Sequence, residues 1–305
     1  MVLEMEFHLR LLLVPQEMVQ QTCLIISACL NGNVDMLVPF LIISLALFFS
    51  GAAIGSFLNV VIYRSLNDES WVTGRSRCDN CRKKISWYDN IPLLSYLILK
   101  AKCRFCKKPI ALTHPVVEVL VGSLFVWWYW SANIFFTLTQ RPFEVLQPAF
   151  WLVVGIILIA ILVTDYLYYI IPDSFVILLL GLTIIYRAAL VGFGIMQVND
   201  LIMAAFGMVL SVLFIGSLWF FTKGKGMGLG DVKLMVPLSL LLGWPSTLVG
   251  LFLSFILGGF VGGGLLLSKK KKMGQVVPFG PFLIVGTFIS LIWGDQILTW
   301  YLAFL

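Results

Sequence analysis

The chain has 305 residues, of which 60% are hydrophobic and only 12% are charged, and its mean hydropathy is +0.99. An average soluble domain is about 25% charged, so this composition excludes a soluble globular protein. Apolar stretches of about 20 residues, each long enough to cross a hydrocarbon core as a helix, recur along the chain. They are continuous rather than alternating, which favours helices over a membrane β-barrel. The sequence therefore predicts an all-α, polytopic integral membrane protein.

Hydropathy windows of about 19 residues predict about eight transmembrane helices. These helices cover residues 37–63, 115–133, 148–167, 174–192, 200–222, 232–243, 247–267 and 279–304. The sixth is short and contains Pro237, so it could be re-entrant or kinked, and residues 243–246 are typical of a turn into the seventh. Residues 1–36 are mixed and only partly amphipathic, and they stay unassigned.

Basic residues are concentrated in alternate loops of this topology. Eleven lie in residues 64–114, three between 223 and 233, and four at 269–272, so 18 of the 21 Lys and Arg residues share one side. The positive-inside rule assigns that side to the cytoplasm. The net charge of +6 is therefore a signal of topology and does not indicate nucleic-acid binding, although the basic surface could also contact anionic lipid.

Two CxxC pairs lie in residues 64–114, which we call the four-cysteine loop. The pairs are Cys78 with Cys81 and Cys103 with Cys106, and 21 residues separate them. This spacing is typical of a zinc site with four thiolates, because each pair offers two ligands to one tetrahedral ion. A reducing cytoplasm disfavours disulfides, so we prefer structural zinc over a redox pair or unligated thiols. Because so short a loop has little core, zinc would supply part of its folding free energy.

Carboxylates inside apolar spans are costly and therefore indicate function. The candidates at or just within the predicted cytoplasmic edge are Glu118, Asp165, Asp173 and Asp231. Two carboxylates held close together and shielded from water cannot both ionise, so they can supply a general base and a general acid for peptide hydrolysis. The glycines before Asp231 would let an extended peptide approach closely. An ion or proton pathway and helix capping, for which Asp173 is well placed, remain alternatives.

Several motifs of other enzymes are absent from the sequence. It contains no HExxH motif, no GxxxxGK[ST] phosphate loop, and no arrangement of His with Ser or Cys that resembles a triad. Two rival functions remain open. A secondary transporter or ion channel would use the membrane acids together with glycine-rich segments such as 258–259 and 262–264. A membrane scaffold anchored by zinc would need no catalytic residues.

The order of several motifs resembles that of bacterial type IV prepilin peptidases, leader peptidases of the intramembrane GxGD aspartyl protease class. The most specific stretch is SWYDNIPLLSY at 86–96, between the two cysteine pairs. The other matching segments are GSFLNVVIYR at 55–64, PVVE at 115–118, Asp165 with IPD at 171–173, GLGDVKL at 228–234 and PFGP at 278–281. Asp79 and the segment 113–115 depart from the family's usual residues, and neither includes an aspartate of the 171–173 or 228–234 motifs or Asp165.

The resemblance implies that Asp165 and Asp231 are the catalytic pair. It further implies cleavage of a short basic leader from type IV prepilins and type II secretion pseudopilins, after a glycine, on the cytoplasmic face of the inner membrane. N-methylation of the new N-terminal residue with S-adenosylmethionine is also implied, in association with the four-cysteine loop. We expect Lys233 to be an electrostatic partner of Asp231 or of lipid phosphate. The residues expected to surround the pair are Glu118, Asp173, Gly228, Gly230 and Lys233.

The expected organisation thus has four parts. They are an unassigned segment 1–36, a first transmembrane helix 37–63, the cytoplasmic four-cysteine loop 64–114 as a zinc-binding and methyltransferase part, and a transmembrane aspartyl peptidase domain 115–305. The expected partners are prepilin and pseudopilin substrates and membrane lipid, without nucleic acid.

Overall fold

The computed structural model of the chain describes residues 34–66, 69–70, 74, 76–78, 80–131, 136, 138, 140–224, 226–268 and 277–304. Within these ranges the chain is helical, with two isolated β-bridges and no strand. The unassigned segment 1–36 lies almost wholly outside them, and so do the basic residues 269–272. The chain divides into two compact units, Met1–Ile159 and Ala160–Leu305.

Each of the eight predicted transmembrane segments corresponds to one helix. In chain order the helices are α1 (Val34–Leu66), α2 (Leu94–Ile98), α3 (Thr113–Trp130), α4 (Phe143–Tyr168), α5 (Asp173–Gly192), α6 (Val198–Phe221), α7 (Leu229–Leu242), α8 (Ser246–Leu267) and α9 (Gly280–Leu302). Among the described residues, six of them, α1, α4, α5, α6, α8 and α9, are long and apolar enough to cross a membrane. This confirms an all-α, multi-pass membrane protein, with a cysteine-bearing loop between the first two predicted spans.

The other two predicted spans, α3 and α7, are helices that fall outside this group of six. Helix α3 includes the polar residues His114 and Glu118 among its 18 residues. Helix α7 has only 14 residues and contains Pro237 without being interrupted by it. It packs against α5, α6, α8 and α9, and Leu234 and Leu238 are fully buried. A helix that is apolar all round is expected in such an interior, and the predicted turn after it, at 243–245, is present.

In the Met1–Ile159 unit, α1 and α3 pack closely as an antiparallel pair. A methyl group built on Gly51 would lie 2.8 Å from the carbonyl oxygen of Val121, and one built on Gly55 would lie 2.9 Å from the Cα of Glu118. Small residues allow backbones to approach in this way inside membranes. The pairing brings the C-terminal end of α1 beside the N-terminal end of α3, and these are the two ends between which the four-cysteine loop runs.

In the Ala160–Leu305 unit, α8 and α9 also pack closely. A methyl group built on Gly286 would lie 2.6 Å from the carbonyl oxygen of Gly250. Among the glycines that a transporter would use, Gly259 and the glycines at 262–264 have no described atom within 4 Å of the Cβ position, whereas a methyl group built on Gly258 would lie 3.3 Å from the ring of Phe279. The backbone contact of Gly286 with Gly250 therefore involves glycines that the sequence analysis did not single out, and of those that it did, Gly258 contacts a side chain beside α9.

Candidate functional site

Asp165 lies in the last turn of α4 and is only 5% exposed. Its Oδ2 accepts a hydrogen bond of 3.0 Å from the backbone N–H of Gly280, the first residue of α9. The first N–H groups of a helix have no partner within the helix and carry partial positive charge, so they suit a carboxylate. A methyl group at Gly280 would lie 2.6 Å from the same oxygen. Glycine at this position is therefore what allows the carboxylate to reach the helix end.

Asp231 is the third residue of α7 and is 6% exposed. Its Oδ2 accepts a hydrogen bond of 3.0 Å from the backbone N–H of Gly228, the N-cap residue. An acidic side chain at this position that reaches back to the N-cap N–H is half of a capping box. The GxGD sequence thus places its aspartate at the beginning of a buried helix, with one oxygen fixed by the backbone.

Ile171 connects the surroundings of the two aspartates. Its side chain lies 3.3 Å from a methyl group built on Gly280 and 3.3 Å from one built on Gly230, the residue that precedes Asp231. The structure therefore brings the predicted pair together. Each carboxylate has its Oδ2 held by a backbone N–H, and neither Oδ1 accepts a hydrogen bond from the described residues. We call Asp165, Asp231, Ile171, Gly228 and Gly280 the aspartate site.

Two residues expected around the pair contact each other at the surface. Lys233 Nζ donates to both carboxylate oxygens of Asp173, at 2.8 and 2.9 Å. Both side chains are exposed, 45% for Lys233 and 62% for Asp173. Lys233 therefore has a different partner from the Asp231 that we expected. Asp173 is the first residue of α5, and Pro172, which precedes it, is the N-cap, so the capping role suggested for Asp173 is not what the structure shows.

The four cysteine sulfurs of the loop are gathered into one cluster. All four Sγ atoms lie within 4.8 Å of one another, and those of Cys78 and Cys106 are 3.9 Å apart. Four sulfurs at about 2.3 Å from a tetrahedral metal would be about 3.8 Å apart, whereas a disulfide is about 2.05 Å long. The spacing thus fits a thiolate cage, and the predicted cluster could hold a metal ion.

Backbone hydrogen bonds prepare one of these cysteines for metal binding. Hydrogen bonds from the backbone N–H of Cys106 and, to a smaller extent, of Phe105 outweigh the opposite effect of burial and lower the pKa of the Cys103 thiol to about 7. The thiolate is the form that binds metals. The fold of the second CxxC turn therefore favours the ligating state of its own cysteine.

The two CxxC turns have the same fold, a feature that our sequence analysis missed. In each, the first cysteine's N–H donates to the carbonyl five residues on: Cys78 to Lys83 at 3.0 Å, and Cys103 to Lys108 at 2.9 Å. A β-bridge closes each turn, at Arg77 with Lys84 and at Lys102 with Pro109. The sequence does contain this repeat, because residues 78–85 and 103–110 share one pattern: CxxC, a basic residue, Lys, any residue, Ile. The repeat predicts two equivalent halves of one metal site.

Specific polar contacts attach the rest of the loop to this cluster and to α3. Arg104 donates two hydrogen bonds to Asp89, of 2.7 and 2.6 Å, and these bonds lower the pKa of the Asp89 carboxyl. The N–H of Leu93 donates to Oε2 of Glu118 at 2.8 Å. Glu118, which we expected beside the aspartates, thus has its described partner in the four-cysteine loop. This contact secures the loop to the buried face of α3.

Comparison with known proteins gives matches over most of the chain. The profile described as the type IV leader peptidase family matches residues 152–263, and that of the bacterial peptidase A24 N-terminal domain matches residues 49–132. A prepilin leader peptidase/N-methyltransferase of Aeromonas hydrophila is 33% identical over 87% of this chain and 95% of its own length. Proteins of the same name from Stutzerimonas stutzeri (32%) and Legionella pneumophila (30%) each cover 83% of this chain and 92% of their own length. No solved structure gives a significant match.

Proposed function

Because the chain belongs to the type IV leader peptidase family, we propose that it is a membrane aspartyl endopeptidase with a second, N-methyltransferase activity. It removes the short basic leader of type IV prepilins and of type II secretion pseudopilins, cleaving after a glycine. It then methylates the amine of the new N-terminal residue. Both activities appear in the name that its relatives share, and the substrates are those that the sequence motifs implied.

The arrangement of Asp165 and Asp231 carries the peptidase proposal. Two buried carboxylates, each with one oxygen held by a backbone N–H, can divide the roles of base and acid. The ionised carboxylate takes a proton from water as the water oxygen attacks the peptide carbonyl, and the protonated one donates its hydrogen to the carbonyl oxygen. When the C–N bond breaks, the leaving amine takes a proton from the site. The helix N-termini that hold both Oδ2 atoms keep the carboxylates in position during these transfers.

The sidedness of the reaction follows from the distribution of charge. The four-cysteine loop holds eleven of the 21 basic residues, and the loops that carry most of the others lie on the same side in the predicted topology. We therefore assign this side to the cytoplasm and the protein to the bacterial inner membrane. The substrate's apolar helix would lie along the enzyme's spans, with its scissile bond at the cytoplasmic boundary.

The four-cysteine loop would hold a structural Zn²⁺ ion through Cys78, Cys81, Cys103 and Cys106, since the sulfur spacing fits a closed tetrahedral site. We keep residues 64–114 as the zinc-binding and methyltransferase part and assign proteolysis to the region from 115 onwards. S-adenosylmethionine, when bound, supplies the methyl group: an N–C bond forms at the amine as the S–C bond breaks, and the amine gives up a proton. The proposal keeps supporting roles for the residues that we expected around the aspartates. Their observed contacts are those of Gly228 with Asp231, of Lys233 with Asp173 and of Glu118 with Leu93, and Gly230 lies beside Ile171.

Prepilin cleavage by the purified protein tests the peptidase assignment. We expect Asp165→Asn and Asp231→Asn each to lower the cleavage rate by about 10²- to 10⁴-fold, the range typical of general acid–base groups. Glu144→Gln is the matched control, because Glu144 is an exposed acid near the other end of the helix that carries Asp165. Its rate should equal that of the wild type.

Two outcomes would contradict the proposal. Unimpaired cleavage by either aspartate variant would remove that residue from the catalytic pair. Absence of cleavage by the wild type, in a preparation that is folded by thermal melting, would restore the transporter and scaffold alternatives, which no contact among the described residues favours.

A further inference from the structure

Helix α2 of the four-cysteine loop presents apolar side chains outward and buries its serine. Leu94, Leu97 and Ile98 follow the i, i+3, i+4 spacing of one helix face, and all three are exposed, Leu97 to 70% and Ile98 to 73%. Ser95 lies outside this face and is buried, and its Oγ donates to the carbonyl of Tyr88 at 3.1 Å. This arrangement is unfavourable in water and favourable in lipid. We call Leu94, Leu97 and Ile98 the α2 stripe.

A hydrogen bond fixes the level at which α2 begins. The N–H of Leu93, the residue before α2, donates to Oε2 of Glu118 at 2.8 Å. Glu118 is the sixth residue of α3 and lies level with Gly55 of α1, a helix that is long and apolar enough to cross a membrane. Val116 and Val119, on either side of Glu118 in α3, are exposed. Helix α2 therefore begins beside an apolar, exposed part of the helix pair, about 7.5 Å of helix rise beyond the first residue of α3.

The charges around the α2 stripe are all of one sign. Residues 91–117 contain five basic residues and no acidic residue. Lys100 and Lys102 follow α2 closely, and both are exposed. The N–H of Lys100 donates to the carbonyl of Leu97 at 3.0 Å, and that of Lys102 donates to the carbonyl of Leu99 at 3.1 Å. The backbone thus holds both lysines at the C-terminal end of the stripe, where their alkyl chains can lie along apolar surface while the ammonium groups reach outward.

An anionic lipid surface fits this combination better than a protein partner does. Apolar side chains beside cations are typical of segments in the membrane interface, where the cations meet anionic headgroups. The proposed substrates carry a basic leader, which the five cations of residues 91–117 would repel. The backbone also suits surroundings with little water, because the N–H groups of Leu97 and Leu99 donate to the carbonyls of Leu93 and Ser95.

We propose that α2 lies in the cytoplasmic interface of the membrane that α1 crosses, with the α2 stripe among the acyl chains and Lys100 and Lys102 at anionic phospholipid headgroups. The four-cysteine loop is then docked on the surface of the leaflet. The inference rests on the proposed cytoplasmic location of the loop and goes beyond the proposed function, since it requires neither enzymatic activity. It also explains why residues 91–99, which contribute no metal ligand, are almost entirely apolar.

Site-specific photocrosslinking identifies what covers the α2 stripe. In this experiment p-benzoylphenylalanine replaces Leu97 in the full-length protein, which is reconstituted into nanodiscs of phosphatidylglycerol and phosphatidylcholine. Because Leu97 is largely exposed, the larger side chain should not disturb folding. We expect mass spectrometry to find a phospholipid adduct at position 97. The matched control is the same replacement at Asn80, an exposed residue of the first CxxC turn, where we expect the lipid adduct to be lost.

Charge substitutions test the contribution of the headgroups. Lys100→Gln combined with Lys102→Gln should lower the yield of lipid adduct at position 97 by up to about 25-fold, since each cation near an anionic surface contributes about fivefold. The matched control is Lys83→Gln combined with Lys84→Gln, which removes the same charge from exposed positions of the first CxxC turn. This control should leave the yield unchanged.

Zinc content and prepilin cleavage are measured in the same preparations. An adduct at position 97 with another part of the chain, with a second copy or with added prepilin in place of lipid would overturn the inference. Equal lipid yields at positions 97 and 80 would also overturn it, and equal yields with and without the lysines at 100 and 102 would overturn the role of the anionic headgroups.

If the replacement at position 97 prevents folding, the same replacement of Ile98, also in the α2 stripe, provides the test. A preparation that cleaves prepilin and captures no lipid at the stripe would overturn the docking and leave the peptidase proposal standing. A preparation that captures lipid and does not cleave prepilin would support the docking and contradict the peptidase proposal.

Discussion

The four-cysteine loop and the aspartate site hold their charged groups by different means. In the loop, long side chains reach across the surface, as Arg104 does to Asp89, and four sulfurs gather where a metal would bind. In the aspartate site, short carboxylates meet backbone N–H groups at 3.0 Å, and a glycine provides the space. The difference teaches that the geometry of the loop depends on the long side chains and cysteines that form its contacts. The geometry of the aspartate site depends on the lack of a side chain at the glycine beside the carboxylate.

The largest effect in the aspartate site outside the aspartates themselves should come from Gly280→Ala. The new methyl group would lie 2.6 Å from Asp165 Oδ2, a separation that forces the carboxylate away from the N–H of residue 280. A displacement of about 1 Å at a catalytic group can cost about 100-fold in rate. We therefore expect prepilin cleavage to fall by about 100-fold.

Gly259→Ala is the matched control for this substitution. Gly259 is also a helical glycine of the same unit, but no described atom lies within 4 Å of its Cβ position. The control should cleave at the wild-type rate, and both variants should bind zinc to the wild-type stoichiometry. Equal activity of Gly280→Ala and Gly259→Ala would show that the aspartate site tolerates added atoms, which would remove the contrast with the loop.

Loss of the proposed metal should affect prepilin cleavage less than Gly280→Ala does. It should, however, strongly affect the four-cysteine loop itself. We expect the double substitution Cys78→Ser, Cys103→Ser to abolish stoichiometric zinc, because each CxxC turn loses one of its two ligands. Because the metal would supply folding free energy, trypsin should cut the loop faster, at its basic sites beside the cysteines. Zinc analysis and limited proteolysis measure the two consequences.

Asp165→Asn and Cys23→Ser serve as controls for the metal experiment, since neither residue belongs to a CxxC pair. Both should retain zinc and the wild-type pattern of digestion. Full retention of zinc by the double cysteine variant would refute the four-cysteine site. Loss of zinc without faster digestion would show that the polar contacts of Asp89 and Glu118 hold the loop on their own.

The features that the sequence predicted well are those with a local signal. Each helix that corresponds to a predicted span is visible as a run of hydropathy, and the cysteine cluster is visible as two CxxC pairs. The aspartates could be selected because charge is rare in apolar spans and because their motifs resemble those of a family. Composition alone left a catalytic pair, an ion pathway and capping as open alternatives.

The partners of these residues were not predictable, because they join distant parts of the chain. Gly280 meets Asp165 across 115 positions, and Lys233 meets Asp173 across 60. Helical periodicity shows which residues share a face of one helix, but it does not show which helix ends meet. Glu118 is an example. Its position within an apolar span could be read from the sequence, whereas its hydrogen bond from Leu93 depends on how the four-cysteine loop folds back onto α3.

The smallest effect should come from the ion pair of Lys233 and Asp173, which lies near the aspartate site in sequence but resembles the loop in using long, exposed side chains. Exposed pairs contribute about 0.2–1 kcal/mol and are screened by salt. Lys233→Gln, Asp173→Asn and the double variant should therefore form a double-mutant cycle with a coupling energy in this range, measured by thermal melting at low and high salt, and should change cleavage less than about threefold. A much larger loss of cleavage in Lys233→Gln than in Asp173→Asn would mean that Lys233 acts on Asp231, as we first expected from the sequence. Contacts made by long side chains would then be important in the aspartate site as well as in the four-cysteine loop. The two regions would differ only in that backbone N–H groups hold the carboxylates of the aspartate site.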